Sequence, residues 1–348
     1  MSANPKLHVF VPFWGLAGGV IKILDYAEHG LKSGYTLVLW SGSLDISPEA
    51  ESLPVLRRLL DRPDLEHRSF DQLPTASAVG EQDRVLFTEP GHAQLVDALT
   101  PAPAQVIQLV QGTRHADPTW NSGLHYRLLH RPLVRIAVTA QVHAAIAPVA
   151  NTRLPIHTVL EGHDVDYFET ERGEQPESAK GRLRVLYSTW KSDVGDRVAE
   201  ACGDDPGLHF IAMRSATPWP SLRNRYSGTD LFLGTPGPEE GFYLPGLEAM
   251  AAGAALVMPL VGGNASYCRP GENMLSVAFE DVADYREAIL ALRAKPDLLK
   301  QLVEAGRQTI DAHRLERERR EFATILANPS QNYADAEPTD DRHGAGVH

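Results

Sequence analysis

The stretch with the clearest chemical potential is EEGFYLPGLEAM, residues 239–250, in which seven residues separate Glu240 from Glu248. Pro245 suits the first position of a helix, because no hydrogen-bond partner for its missing N–H is needed there. A helix that begins at Pro245 would place Glu248 in about its first turn and Glu240 in the preceding loop. We therefore expect both carboxylates to flank the positive end of this helix.

The backbone before this helix would add hydrogen-bond donors to the two acids. The amides of Gly241, Phe242 and Tyr243 are expected to open onto the same space. Such a site suits a ligand with both hydroxyls and phosphate, because carboxylates accept from hydroxyls and amides bind the anion. The alternative is an ordinary helix end, with Glu248 near the dipole and Glu240 in solvent, each contributing about 0.3–1 kcal/mol.

The bulk composition describes a globular protein of two domains. The chain has 348 residues, 43% hydrophobic and 22% charged, and lacks the run of apolar residues that a membrane-spanning helix needs. Its net charge of −12 argues against a nucleic-acid partner. Cys202 and Cys268 cannot form a disulfide framework and have no metal-ligand spacing. The cytoplasm is the expected location.

The first half of the chain alternates strands and helices. The apolar run at 7–11, a glycine-containing loop, a helical segment that ends at Gly34 and a second run at 36–40 form the start of a parallel βαβ unit. Further strands are predicted at 84–88, 104–110, 134–139 and 156–160. Residues 1–160 are therefore predicted to form a Rossmann-like domain.

The second half repeats this alternation. Strands are predicted at 183–189, 208–213, 229–234, 254–258 and 274–278, and the last helical region breaks at Pro296. A second Rossmann-like domain, with closing helices, is predicted over 161–328, with a polar linker at 169–182 and a disordered tail at 329–348.

Residues 238–277 resemble the nucleotide-sugar site of glycosyltransferase family 4. The family pattern is E-G-F-G-L-P-x-x-E-A-M-A-x-G, followed by a strand, a G-G loop and a G-x-N segment. The matching positions are Glu240, Gly241, Phe242, Leu244, Pro245, Glu248, Ala249, Met250, Ala251, Gly253, Gly262, Gly263, Gly271 and Asn273.

This resemblance implies the α/β GT-B architecture, in which two Rossmann-like, doubly wound domains face each other across a cleft. It implies an acceptor site in the first domain and a donor site in the second. The implied activity is a retaining, metal-independent transfer of a sugar from a nucleoside-diphosphate sugar to a glycan, lipid-linked or small-molecule acceptor. No cofactor is expected beside the nucleotide-sugar substrate.

The resemblance also implies roles for individual residues. Glu248 resembles the glutamate that holds the ribose hydroxyls, and Glu240 the one that meets the hydroxyls of the donor sugar. Lys191 resembles the lysine that neutralises the pyrophosphate. The remaining donor-binding positions lie in the two glycine-containing loops and are Gly18, Gly19, Gly241, Phe242, Tyr243 and Leu244.

Some positions depart from the family pattern. Ser188 and Thr189 stand where the family has Gly-Arg, so one phosphate-binding cation is missing or comes from Arg214 or Arg114. Glu161 replaces the asparagine of the N-G-x-D turn. These departures keep two rivals open: a catalytically silent nucleotide-sugar-binding subunit and a GT-B nucleotide-sugar epimerase. A phosphorylase fits less well, because no lysine stands in a context for a pyridoxal cofactor.

His115 follows a strand of the first domain, where doubly wound folds bind their ligands. We interpret it as an acceptor-side base or orienting residue, although Gln111 aligns about as well, and a lone loop histidine is more often simply packed.

Two charged segments have competing interpretations. Asp164 and Asp166 could chelate a metal, but their place in an interdomain turn favours a structural role, and no metal is assigned. A basic segment could hold an anionic acceptor, contact phospholipid weakly at the inner membrane face, or form a solvated helix face. Its members are Arg127, His130, Arg131 and Arg135.

Overall fold

A computed structural model describes residues 4–169, 181–203 and 205–331 of the chain. The strands in these ranges form two sheets, one of seven strands and one of five. Most of the predicted linker at 169–182 and of the predicted tail at 329–348 lies outside the described residues.

The first sheet is parallel and has the order β3-β2-β1-β4-β5-β6-β7. Its strands are β1 (Lys6–Phe10), β2 (Thr36–Ser41), β3 (Glu66–Ser69), β4 (Arg84–Phe87), β5 (Val106–Val110), β6 (Val134–Ala137) and β7 (Ile156–Thr158). The accompanying helices are α1 (Gly18–Lys32), α2 (Pro48–Glu51), α3 (Pro54–Leu60), α4 (Ala93–Asp97), α5 (Leu124–Leu129), α6 (Ala140–Ile146) and α7 (Val165–Phe168).

The second sheet is also parallel and has the order β12-β11-β10-β8-β9. Its strands are β8 (Leu183–Ser188), β9 (Leu208–Met213), β10 (Leu231–Leu233), β11 (Ala255–Met258) and β12 (Leu275–Ser276). The later helices are α8 (Val194–Ala201), α9 (Trp219–Ser227), α10 (Leu244–Ala251), α11 (Val282–Ala294), α12 (Pro296–Ile310) and α13 (Leu315–Ala327).

The strand orders place the ligand-binding edge of each sheet. Chain order reverses between β1 and β4 in the first sheet and between β8 and β10 in the second. Ligands of doubly wound folds bind beyond the carboxyl ends of the strands at such reversals. The loop before Gly18 follows β1, Lys191 follows β8 and Glu240 follows β10, so the topology brings the predicted loops to these edges.

Most strands could be predicted from apolar runs because they are buried on both faces of their sheets. Parallel strands covered on both faces need apolar side chains on both, and Val9, Leu86, Ile107 and Val185 are fully buried. β3 was not predicted, because this edge strand has the sequence EHRS, in which every residue is half-buried.

The last helix returns to the first domain. On α13, the ring of Phe322 packs edge-on against Tyr26 of α1, with 4.7 Å between the ring centroids. Glu318 of α13 accepts hydrogen bonds from Lys22 Nζ at 2.8 Å and from the amide of Gly162 at 3.1 Å. One carboxylate therefore joins the first domain, the interdomain turn and the last helix.

Glu318 remains charged although it is fully buried. Burial alone would raise the pKa of Glu318, but the charge of Lys22 and hydrogen bonds from Lys22 and His29 outweigh burial and hold the pKa at about 2. Lys22 Nζ also lies 3.0 Å from Asp25 and donates to the carbonyl of Gly162 at 2.7 Å. Charges this deep are stable only when partners satisfy them from several sides.

No described helix combines the length and the apolar character that are needed to cross a membrane.

We predict that Glu318→Ala lowers the free energy of unfolding by roughly 3 kcal/mol, because it leaves Lys22 buried with less compensation. Denaturant unfolding measures this loss. Glu316→Ala is the matched control: this glutamate of the same helix pairs with Arg319 at the surface and should change stability by less than about 1 kcal/mol. Equal effects of both substitutions would contradict the assigned role of the buried network.

Candidate donor and acceptor site

A cavity of about 610 Å³ lies between the carboxyl edges of the two sheets. Its first-domain wall includes Gly18, Gly19 and the residues that follow β5, and its second-domain wall includes Lys191 and the loop before α10. Both Glu240 and Glu248 line this cavity, so the two acids share one site.

Glu240 is held by two contacts. Its Oε1 lies 2.7 Å from Lys191 Nζ and accepts a hydrogen bond from the amide of Gly237 at 2.8 Å. Lys191 also lies above the ring of Tyr243, 5.4 Å from its centroid. The structure thus brings together two of the predicted residues and fixes the Glu240 carboxylate at the cavity wall, with Lys191 as its counter-charge.

Glu248 lies deeper than the sequence predicted. The helix α10 begins at Leu244 rather than Pro245, and Glu248 is its fifth residue, so the carboxylate sits beyond the first turn. Its Oε1 lies 3.0 Å from His163 Nε2 and its Oε2 accepts from the hydroxyl of Tyr226 at 2.9 Å. Sequence reasoning missed both partners, because nothing in the local pattern links positions so far apart in the chain.

The loop before α10 does not present all three predicted amides. The amide of Tyr243 donates to the carbonyl of Gly263 at 2.8 Å, and its side chain is buried. Tyr243 therefore differs from the prediction of a ligand-facing donor. Gly241, Phe242 and Leu244 do line the cavity.

The same loop is clasped to the first domain. Gly112 and Glu240 form an isolated antiparallel bridge, and Thr113 Oγ1 donates to the carbonyl of Glu239 at 3.2 Å. A β-carbon on Gly241 would lie 2.3 Å from the carbonyl oxygen of Gln111, so only glycine allows this approach. The glycine after Glu240 is thus required by the contact between domains.

The positive end of α1 faces the cavity from the first domain. Gly18 and Gly19 are its first two residues, its first turn contains no acidic side chain, and both glycines line the cavity. The unpaired amides at the start of such a helix favour an anion. A β-carbon on Gly18 would lie 3.3 Å from Leu244 Cδ1, which shows how closely the domains approach here.

His115 belongs to a buried aromatic group on the first-domain wall. Its ring centroid lies 4.1 Å from that of His125 and 5.7 Å from that of Trp120. Burial, aided by His125 and Arg114, lowers the pKa of His115 well below its ordinary value, and burial lowers that of His125 to about 4. Both imidazoles are therefore neutral near pH 7 and suited to hydrogen bonding. His125 was not predicted as a site residue.

Gln111, the alternative to His115, supports the loop instead. Its Nε2 lies 3.3 Å from the carbonyl of Gly19 and 3.3 Å from Thr88 Oγ1. Gln111 also lines the cavity, so both aligned candidates reach the site.

The basic segment does not form a single exposed face. Arg135 is fully buried, and its guanidinium donates to the carbonyls of Leu129 and Arg131 at 2.8 and 2.7 Å. Burial lowers the pKa of Arg135 to about 10. Arg131 pairs with Asp97 at 2.6 Å, and Arg127 donates to the carbonyl of Ser122 at 2.8 Å. The interpretation of Arg135 as part of a solvated or lipid-binding patch was wrong.

The two aspartates at 164 and 166 form ion pairs with arginines. Asp164 lies 3.9 Å from Arg58, and Asp166 pairs with Arg314. Both carboxylates of the interdomain turn therefore have arginine partners, which is a structural role.

The second domain matches a known family model. Residues 211–309 match the model described as Glycosyl transferases group 1, and this range contains both Glu240 and Glu248. Among proteins with curated functions, none matches the sequence.

Solved structures share the fold over nearly the whole chain. HepE from Anabaena, in complex with UDP and glucose, is 12% identical with a TM-score of 0.70 and covers 94% of this chain and 100% of its own. A glycosyltransferase from Rickettsia africae is 14% identical (TM-score 0.64, 94% and 100% covered). A sucrose-phosphate synthase from Thermosynechococcus elongatus is 13% identical (TM-score 0.64, 94% and 99% covered). The protein therefore has the GT-B fold.

We predict that Gly241→Ala loosens the clasp between the domains, because its β-carbon collides with the Gln111 carbonyl. The expected loss of stability is about 1–3 kcal/mol, with faster amide hydrogen exchange at residues 110–114 and 239–241. Gly91→Ala is the control, because nothing lies within 4 Å of a β-carbon there. Unchanged exchange in Gly241→Ala would refute the close contact.

Proposed function

We propose that the protein is a retaining glycosyltransferase that moves a sugar from a nucleoside-diphosphate sugar to an acceptor hydroxyl. The proposal rests on one observation: Glu240 and Glu248 line a single cavity together with Lys191 and the positive end of α1. Carboxylates that accept from sugar hydroxyls, beside groups that bind an anion, match the two halves of a nucleotide sugar.

The comparisons support this choice of substrate. Both glutamates lie in the range that matches the Glycosyl transferases group 1 model. HepE, which shares the fold, has been solved with UDP-glucose. UDP is therefore the first donor nucleotide to test.

Each side chain has a place in the proposed reaction. Glu248, oriented by His163 and Tyr226, accepts from the ribose hydroxyls with its remaining lone pairs. Glu240 accepts from the hydroxyls of the donor sugar. Lys191 exchanges part of its contact with Glu240 for the diphosphate, and with the first amides of α1 it stabilises the negative charge that grows on the leaving group.

The proposed transfer is a front-face substitution. The acceptor oxygen forms a bond to the anomeric carbon on the side from which the diphosphate departs, the bond between that carbon and the phosphate oxygen breaks, and the acceptor proton passes to the leaving diphosphate. We assign to neutral His115 and His125 the role of hydrogen-bonding the acceptor. No metal ion or organic cofactor takes part in this scheme, and closure of the cleft would exclude water.

The experiment that tests this function is a turnover assay with UDP-, GDP- and ADP-sugars, with and without glycan, lipid-linked and small-molecule acceptors. We expect acceptor-dependent release of nucleoside diphosphate that persists in EDTA, and NMR should show the donor's anomeric configuration in the product. Binding without turnover would instead indicate a silent subunit. Conversion of the donor without acceptor would indicate an epimerase.

We predict different effects for the two glutamates. Glu248→Gln should weaken nucleoside-diphosphate binding about tenfold, because one charged acceptor is lost, and Glu240→Gln should lower kcat by about 100-fold with less change in affinity. Calorimetry and initial rates separate the two. Glu239→Gln, an exposed neighbour outside the cavity lining, is the control. Negligible changes in both variants would contradict a role in donor binding and favour the alternative that both glutamates only stabilise the helix end.

A further inference from the structure

The cavity contains more acid than base. Four glutamates of the described chain line it, namely Glu89, Glu161, Glu240 and Glu248. Burial raises the pKa of the Glu161 carboxyl to about 8, although Lys22 opposes this, so Glu161 is neutral near pH 7. A diphosphate would add negative charge to a cavity whose lining already contains these carboxyl groups.

Of the described residues that line the cavity, only two carry a permanent positive charge. They are Arg114 and Lys191. Lys191 is already paired with Glu240, with 2.7 Å between Nζ and Oε1. His115 and His125 are neutral near pH 7 because burial lowers the pKa of each. A bound diphosphate therefore needs a cation that is not yet committed.

The described residues of the second domain do not provide it. Ser188 ends β8 and Thr189 follows it, where Gly-Arg was expected, and Thr189 Oγ1 donates to the carbonyl of Met213. Arg214 after β9 forks onto Asp196, with N–O distances of 2.9 and 2.8 Å, and does not line the cavity. One of the two arginines that the sequence offered as replacements is thus occupied elsewhere.

Arg114 has no such partner. Within the described part of the chain, no ion pair or side-chain hydrogen bond engages its guanidinium, which lies over the ring of Trp120 at 4.8 Å from the centroid, and its buried Nε has no hydrogen-bond partner. Its charge acts on Glu89, where it opposes the burial that raises the pKa of that carboxyl. A β-carbon on Gly112 would lie 3.7 Å from that Nε. Because Gly112 bridges Glu240, Arg114 stands beside the loop that carries the sugar-side acid.

We infer that Arg114 binds the diphosphate of the donor, at the phosphate nearer the sugar, as the second cation of the site. This inference rests on the proposed function and identifies a residue of the first domain as the substitute for the missing arginine of the second. The planar fork of Arg114, supported by Trp120, matches phosphate oxygens. Since Lys191 belongs to the other domain, the diphosphate would join the two domains.

The test compares affinity for nucleoside diphosphates and monophosphates. Calorimetry with UDP, GDP and ADP, and with UMP, GMP and AMP, would be run on the wild type, Arg114→Gln and Arg214→Gln. Arg114→Gln should weaken binding of the preferred diphosphate by about 10- to 100-fold and leave its monophosphate nearly unchanged. Arg214→Gln, which removes a surface arginine of equal charge, should match the wild type for both ligands.

Several results would overturn the inference. Unchanged diphosphate affinity in Arg114→Gln, or an equal loss for both ligands, would remove Arg114 from the sugar-side phosphate. A rise in acceptor KM alone would assign it to an anionic acceptor instead. Arg114→Lys keeps the charge but not the planar guanidinium, and its loss of diphosphate affinity should be intermediate. Thermal unfolding of each variant would show whether a folding defect causes the loss.

The proposed function and this inference fail in different ways. If the wild type binds none of the diphosphates, the donor site itself is refuted, and Arg114 falls with it. If the wild type binds and turns over a nucleotide sugar while Arg114→Gln does so equally well, only the role of Arg114 is refuted.

Discussion

The backbone bridge between Gly112 and Glu240 is the constraint on which the site depends. It fixes the loop after β10 against the loop after β5, so that the acid of the second domain and the histidines of the first face one cavity. The bridge requires a residue without a β-carbon at position 241, because the carbonyl of Gln111 occupies that space. In the sequence, Gly241 suggests open space for a ligand. In the structure, the same glycine is also required for contact between the domains.

The interdomain turn is held by a buried network of charged side chains. Lys22 and Glu318 meet beneath the interdomain turn, where the carbonyl and amide of Gly162 bind the same two groups. Buried ions of this kind tolerate little displacement, because each loses partners that water cannot replace. The turn is therefore held firmly to α1 and α13.

Local patterns predicted the buried strands and the helix after Glu240, because apolar runs and helix-start signals are local properties. The family resemblance singled out Lys191, Glu240 and Glu248, which line one cavity. The polar edge strand β3 lacked such a run. His125, His163 and Tyr226 could not be found, since tertiary packing alone brings them to the site. Arg135 was misjudged because an arginine satisfied by carbonyls has the same local sequence as one in solvent. The prediction for the Tyr243 amide was wrong for a similar reason, because its partner, the carbonyl of Gly263, lies in a later loop.

Because α13 returns to the first domain, the two halves of the chain depend on each other for folding. Phe322 and Ile325 on this helix are buried, and Phe322 contacts Tyr26 of α1. A polypeptide that ended between the two sheets would leave α1 uncovered, and one that began there would carry α13 with its apolar side bare. The two halves are thus separate as sheets but interdependent in folding, because the helix that covers α1 follows the second sheet in the chain.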